Sequence, residues 1–312
     1  MTDSLQEDDP VEVSIVVPAY NQADQLRCLL ASIEQLPPAP RFELIVVNDC
    51  STDATGDAMR AWMACPHPFP VEYIELERNS GPAAARNAGV RQARAPIVAF
   101  TDSDCRVTPD WLHCLLARFE PEKNIVGVGG IVFPVHPKGL ISTYNTITGV
   151  LDTDPTLHFL ITCNCCYSRE ALLAVGGFDE DVLTPGGEDI AASMKIILAG
   201  GKLALAPDAA VYHDYRESLR SLIKTWKNYA YGNGYVVGKQ FRGAPMDERE
   251  PWHTNTVRPV RPTPFYIGLA LYREWQRTRL FGLPLHTSLA CLAIRMVLLF
   301  VHYEWFRRGE AH

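Results

Sequence analysis

Ile97-Val98-Ala99-Phe100-Thr101-Asp102-Ser103-Asp104 runs from four apolar residues into two carboxylates one residue apart. The apolar run predicts a short buried strand, and side chains two apart on extended backbone share a face. Two negative charges leaving a core at one point repel each other unless a cation sits between them. A hard divalent ion such as Mg²⁺ or Mn²⁺ suits the pair, because it takes few carboxylates and completes its shell with phosphate oxygens and water. A bare Asp-x-Asp is also what a solvated loop end or a helix cap looks like, so the surrounding chain has to decide.

Upstream of this run, apolar and β-branched segments at 11–18, 42–47 and 71–76 predict three more strands. Helical patterns separate them. Leu26, Leu29, Leu30, Ile33 and Leu36 recur at a 3.6-residue period, Ala58, Met59 and Trp62 follow the polar turn 48–55, and an Ala-rich segment opens at Ser80-Gly81-Pro82 and runs to about Arg94. Strands alternating with helices predict an α/β fold with a Rossmann-like, mostly parallel sheet. Ligands on such sheets bind beyond the carboxyl ends of the strands. Residues 19–21, 48–51 and 102–104 are therefore expected to gather along one rim.

Downstream, the pattern predicts a helix at 111–119, strands at 126–133, 160–167 and 203–211, a short helix at 169–175, and a helix opening at Glu188-Asp189 and closing at Gly200-Gly201. Five Pro between 240 and 264 mark a linker. Nine dispersed Cys argue against a disulfide framework. Cys163-Asn164-Cys165-Cys166 lacks a partner knuckle for zinc, and Cys163 and Cys165 are expected on one strand face as small core residues. Asp53 in Ser51-Thr52-Asp53-Ala54-Thr55 is placed as a helix-start acid rather than a site residue.

The ordered segments VSIVVPAYNQ, VVNDCSTDAT, NSGPAAARNAG, FTDSDC, SREALLAVGGFDE, GGEDIAASMKIILAG and VYHDY resemble the family 2 glycosyltransferases of the GT-A fold. The resemblance covers residues 11–240 and implies an inverting transfer of one sugar from a nucleoside-diphosphate sugar, UDP favoured, to a hydroxyl acceptor. By that resemblance Pro18, Ala19, Tyr20 and Asp49 frame the nucleotide base, and Arg86 and Asn87 lie near the base and diphosphate. Asp104 binds Mg²⁺ or Mn²⁺ directly, Asp102 contacts the ribose or the metal through water, and His213 supplies a further metal or diphosphate contact. Asp189 matches the general base, with Gly187 and Glu188 on the acceptor side and the Gly186-Gly187 pair letting the loop approach the acceptor. The family often continues Glu-Asp-x-Asp or Glu-Asp-x-Glu with a following Arg. Here Ile190-Ala191-Ala192-Ser193 follows, so the acceptor side departs from the pattern.

Two other readings stay in view. A processive polysaccharide synthase of this family carries Gln-x-x-Arg-Trp after the base, whereas residues 224–229 read Lys-Thr-Trp-Lys-Asn-Tyr. A non-catalytic sugar-nucleotide-binding module would bind donor and transfer nothing. The formal charge of −7 argues against nucleic acid. Charge is uneven: eight Arg and two Glu from Arg258 to Arg308 carry +6, so the rest carries −13. The expected organisation is an acidic tail at 1–10 without a secretory h-region, a catalytic domain at 11–240, a Pro-rich linker at 241–264 and a helical segment at 265–312. The apolar run 289–301 is shorter than the ~20 residues that span a bilayer comfortably. That leaves inner-leaflet contact near a carbohydrate or lipid-linked acceptor, packing on the catalytic domain, and a homodimer interface as the options. The expected location is cytoplasmic, with peripheral contact on the cytoplasmic membrane face among those options.

Overall fold

A computed structural model describes residues 10–151, 159–182, 185–240 and 261–311. Nearly all of the expected acidic tail, and most of the Pro-rich linker, lie outside the described residues. In chain order the elements are β1 (Val13–Ala19), α1 (Ala23–Ile33), β2 (Phe42–Asn48), α2 (Thr55–Met63), β3 (Val71–Glu75), α3 (Gly81–Gln92), β4 (Ile97–Thr101), β5 (Cys105–Val107) and α4 (Trp111–Leu116). They continue with β6 (Ile125–Pro134), α5 (Leu140–Thr148), β7 (Asn164–Ser168), α6 (Arg169–Ala174), α7 (Glu188–Leu198), β8 (Lys202–His213), α8 (Leu219–Gln240), α9 (Pro264–Leu280) and α10 (Leu285–Glu310).

One eight-stranded sheet runs β3-β2-β1-β4-β7-β6-β8-β5. Its first four strands are parallel, as expected. Beyond β4 the expectation of a mostly parallel sheet needs correction. β7 enters antiparallel between β4 and β6, and β5 pairs antiparallel with β8, while β6 and β8 are parallel. The expected strand at 160–167 is in fact β7, which starts at Asn164. Cys163 precedes it in a turn, so Cys163 and Cys165 do not share a face: Cys163 and Cys166 join one core and Cys165 the other.

The pleat of β1 accounts for both cores. Val13, Ile15 and Val17 face α1, packing with Leu26, Leu29, Leu30 and Ile33. Val16 faces the other way, with Val47, Val98, Phe100 and the α3 residues Ala83, Ala85 and Val90. α3 is rich in Ala and Gly because it lies very close to the sheet. A Cβ at Gly89 would stand 2.4 Å from Val16 Cγ1. That closeness carries the long side chain of Arg86 toward the end of β4.

A second glycine seam joins the C-terminal helices to the body. A Cβ at Gly234 on α8 would lie 2.0 Å from the Phe306 carbonyl oxygen, and one at Gly309 on α10 would lie 2.0 Å from that of Tyr231. α8 then receives the loop before α7, since a Cβ at Gly232 would fall 1.7 Å from the Gly186 carbonyl oxygen. α8 and α5 were not anticipated from sequence. Three glycines lower the helix propensity of α8, and five β-branched residues lower that of α5. Ala substituted at Gly309 is expected to force the two backbones apart and lower stability by about 1–3 kcal/mol, the usual range for overpacking. The change would be read as a fall in melting temperature; an unchanged melting temperature would refute the close crossing.

Candidate active site

The expected rim forms at the carboxyl ends of β1, β2 and β4, and side chains stitch its loops together. Asn21, at φ 52°, accepts from the Thr52 amide (2.8 Å) and the Asp53 amide (3.2 Å), while its own amide donates to Ser51 Oγ (3.0 Å). Asp53 accepts from the Thr55 amide at the start of α2, the helix-start role expected for it. Asp49 is buried, its Oδ1 accepting from the Ser80 amide (2.7 Å) and its Oδ2 from the Gly81 amide (2.9 Å) and Asn79 Nδ2 (3.0 Å). Burial raises its pKa, against the pull of the two amides. Asp49 thus binds the N-terminus of α3, where a carboxylate is favoured. Pro18, Ala19, Tyr20 and Asp49 all line one open cleft of about 550 Å³, and the Tyr20 ring is exposed.

The two carboxylates of the opening motif line the same cleft but take different partners. β4 ends at Thr101, and the chain then turns, with the Cys105 amide donating to the Asp102 carbonyl (2.9 Å). The turn breaks the two-residue alternation of a strand, so each acid finds its own partner, although the Asp102 charge still acts on Asp104. Asp102 Oδ1 accepts from Arg86 Nη2 (2.8 Å). Asp104 Oδ2 accepts from Gln22 Nε2 (2.7 Å), and its Oδ1 lies 3.4 Å from His213 Nε2. Ser103 is buried between them and donates to Gln22 Oε1. The cation facing Asp102 is therefore one of the chain's own.

Arg86 is buried, and its other arm, Nη1, donates to Glu188 Oε1 (2.9 Å), itself only 3% exposed. Burial works against the guanidinium charge, but Asp102 and Glu188 outweigh it and raise its pKa. Both strong donors are therefore committed to side chains, although Arg86 still lines the cleft. Asn87 is corrected more fully. Its Nδ2 donates to the Phe178 carbonyl (2.8 Å) and Glu180 Oε1 (2.9 Å), its Oδ1 accepts from the Phe178 amide (3.0 Å), and it does not border the cleft. Its place on α3 turns it toward the loop after α6, which it holds.

β5 pairs Cys105 with His213 at the end of β8, and this pairing brings His213 to Asp104. Ligand atoms of Asp104, Cys105 and His213 lie within 4.8 Å of one another. Burial raises the Cys105 thiol pKa far above its usual value, and a soft sulfur donor suits a hard Mg²⁺ or Mn²⁺ ion less well than oxygen or imidazole nitrogen. Burial likewise raises the pKa of Asp104, and His213 offsets this in part. His213 Nδ1 is buried without a hydrogen-bond partner. A carboxylate oxygen and an imidazole nitrogen, with room for phosphate oxygens in the cleft, fit Mn²⁺ or Mg²⁺. Asp102 is outside this group.

Asp189, in the first turn of α7, lines a second cavity of about 260 Å³ together with Gly187 and Glu188. The two cavities share Arg86, Asp102 and His213. Burial first, and then the neighbouring Glu188, push the Asp189 pKa up to about 7, with Arg86 pulling the other way. Glycine at 186 and 187 serves a different partner from the one expected. With φ of 120° and 93°, the pair presses on α8, where added Cβ atoms would meet the backbone of Tyr229 at 2.6 Å and of Gly232 at 2.7 Å. The departure at Ser193 is also explained: Ser193 Oγ bonds the Asp189 carbonyl, the Leu160 amide and the Tyr167 hydroxyl. Sequence reasoning missed Gln22, Trp226 and Tyr229. Gln22 sits in the quoted PAYNQ segment, but nothing in sequence showed that it would reach Asp104.

Residues 14–176 match the family model described as Glycosyl transferase family 2, and residues 97–307 match Glycosyl transferase family group 2. The chain is 30% identical over 221 residues to the pre-mycofactocin glycosyltransferase of Mycobacterium tuberculosis, an alignment covering 68% of this chain and 44% of that one. This chain therefore spans less than half the length of that relative. Among solved structures it resembles the mannosyltransferase PcManGT from Pyrobaculum calidifontis in complex with GDP-Man and Mn²⁺, with TM-score 0.64, 21% identity, and coverage of 96% of this chain and 88% of that one. It also resembles S. aureus TarS 1–349 in complex with UDP, with TM-score 0.51, 18% identity, and coverage of 96% and 90%. The mixed sheet with its flanking helices is the GT-A glycosyltransferase fold, and the chain belongs to glycosyl transferase family 2.

Proposed function

We propose that this chain moves one sugar from a UDP-sugar to an acceptor hydroxyl with inversion, and that Asp189 is the general base. The observation that carries the reading is Arg86. It ties Asp102, on the donor cleft, to Glu188, the neighbour of Asp189, across the junction of the two cavities. A carboxyl group with a pKa near 7 is matched to taking a proton from a hydroxyl at neutral pH. The acceptor O–H gives its proton to Asp189 as its oxygen attacks the anomeric carbon from the face opposite the diphosphate. The anomeric C–O bond breaks, and its electron pair leaves on the diphosphate. Asp104 and His213 would hold Mg²⁺ or Mn²⁺, which neutralises charge on the leaving diphosphate. Asp102, with one oxygen on Arg86, is left for the ribose or a water-mediated metal contact.

Asp49 supports uracil as the base. Its Oδ2 already accepts two hydrogen bonds and its Oδ1 one, which leaves room for a single further donor. Uracil offers one imide N–H, whereas guanine offers a paired N–H and NH₂ edge. Tyr20 would cover the base from the exposed side of the cleft. The apolar side chains exposed on α9, on α10 and in the turn between them, Phe265, Leu280, Phe281, Leu285 and Leu289 among them, support peripheral contact with the cytoplasmic membrane face. α10 is also long and apolar enough to cross a membrane, which is weak evidence for a helix that packs on α8. A membrane fraction released by carbonate would fit peripheral contact; an entirely soluble protein would refute it.

Asp189→Asn is expected to cut turnover by about 10²–10⁴-fold, the usual contribution of a general base. Its donor affinity should stay unchanged by calorimetry. Full turnover would remove the base assignment. A product ladder grown from one acceptor would replace single transfer with polymerisation, and donor binding without any product would favour a binding module. Stabilisation against heating by UDP-sugars should exceed that by GDP-sugars in the presence of Mn²⁺, since ligands that bind the folded state raise its melting temperature. Asp104→Ala should abolish the dependence on Mn²⁺. A larger shift with GDP-sugars would overturn the uridine reading.

A further inference from the structure

The cavity beside Asp189 has a far wall built by the C-terminal helices. Arg277 of α9 and Arg295 and His302 of α10 line it, opposite Glu188 and Asp189. Between Leu285 and Glu304, Arg295 is the one charged residue of an otherwise apolar helix. His302 lies seven positions on, two turns along the same face. Burial, together with Arg295, pushes the His302 pKa down to about 4, so its imidazole is neutral at pH 7.

Unpartnered groups gather here. Trp226 Nε1, Arg295 Nε, Arg86 Nε and His302 Nε2 are buried without hydrogen-bond partners, and all four residues line this cavity. The first three are donors only. A buried donor left unpaired costs about 1–3 kcal/mol, so these donors favour a ligand rich in acceptors. The unpartnered acceptor beside the arginines, Glu274 Oε1, does not line the cavity. Charge points the same way. Glu274 is the buried carboxylate beside both arginines: its Oε2 lies 3.6 Å from Arg277 Nη1, and both Arg277 and Arg295 offset the effect of burial on it. At this wall two guanidiniums face one carboxylate, whereas across the cavity Arg86 is already matched by Asp102 and Glu188. The planar guanidinium fork is suited to phosphate oxygens, which only accept.

Building on the glycosyl-transfer reading, we infer that this cavity is the acceptor subsite and takes an acceptor bearing a phosphate ester, held by Arg277 and Arg295 while its hydroxyl meets Asp189. Arg295 and His302 thereby assign α10 a part in substrate recognition. Trp226, from α8, would border the sugar ring between the phosphate and the reacting hydroxyl.

The test is calorimetric titration of the full chain, saturated with UDP and Mn²⁺, with glucose 1-phosphate and with methyl glucoside. Glucose 1-phosphate should bind about tenfold more tightly, and Arg277→Gln or Arg295→Gln should remove most of that preference, as expected for charge-assisted hydrogen bonds. A second arm uses flotation with phosphatidylcholine vesicles containing phosphatidylinositol or an equal charge of phosphatidylserine. Arginine-dependent preference for phosphatidylinositol assigns the phosphate to a lipid; preference confined to glucose 1-phosphate assigns it to a soluble acceptor. Equal binding of the charged and uncharged probes, binding of none of them, or a preference that survives both substitutions overturns the proposal. UDP binding serves as the control for folding, since Arg277 and Arg295 lie outside the donor cleft. Loss of UDP binding by the unsubstituted chain would instead refute the glycosyl-transfer reading itself.

Discussion

A single buried cation organises the site. Arg86 reaches from a helix pressed onto the sheet, binds Asp102 with one arm and Glu188 with the other, and so joins two segments 86 residues apart in sequence. Such buried pairs add little net stability over a well-packed apolar core. Breaking one is costly, about 3–5 kcal/mol, because it strands a buried charge. Their value is positional. With Arg86 in place, Glu188 is held beside Asp189, and burial and that neighbour push the Asp189 pKa up to about 7.

The same site depends on close backbone approaches that only glycine allows. Gly89 lets α3 reach the sheet, Gly186 and Gly187 let the loop before α7 lie on α8, and Gly234 and Gly309 let α10 cross α8. The C-terminal helices, set apart by composition, are linked through these seams to the loop that precedes Asp189. This is why Arg277, Arg295 and His302 reach a cavity that also holds Asp189.

The parallel half of the sheet was legible in sequence because its signals are local. β-Branched runs alternate with 3.6-residue patterns, and the strand ends carry the polar clusters. The rim and the helix start at Glu188-Asp189 followed from these signals, whereas placing His213 with Asp104 rested on the family resemblance alone. What could not be read was the turn after Thr101. A two-residue period holds only on extended backbone, and the reversal sends Asp102 to Arg86 and Asp104 to Gln22. α8 was hidden for a related reason. Its glycines read as breakers locally, but they answer to Phe306, Glu310 and Gly186, which lie far away in the chain. Asn87 was expected beside the base and diphosphate and the Gly186-Gly187 pair against the acceptor, but the partners observed are Phe178 and Glu180 for the first and α8 for the second.

The pH dependence of turnover in Glu188→Gln, set beside that of the unsubstituted chain, tests the role of the Arg86 cluster most directly. Gln keeps the shape of Glu188 and one of its two acceptor oxygens, giving up the bond from either Arg86 or the Gly186 amide; it removes the like charge beside Asp189 and leaves Arg86 to attract it. The apparent pKa of the base is expected near 7 in the unsubstituted chain and clearly lower in the variant. An apparent pKa that stays the same or rises would contradict the claim that this buried cluster sets the base.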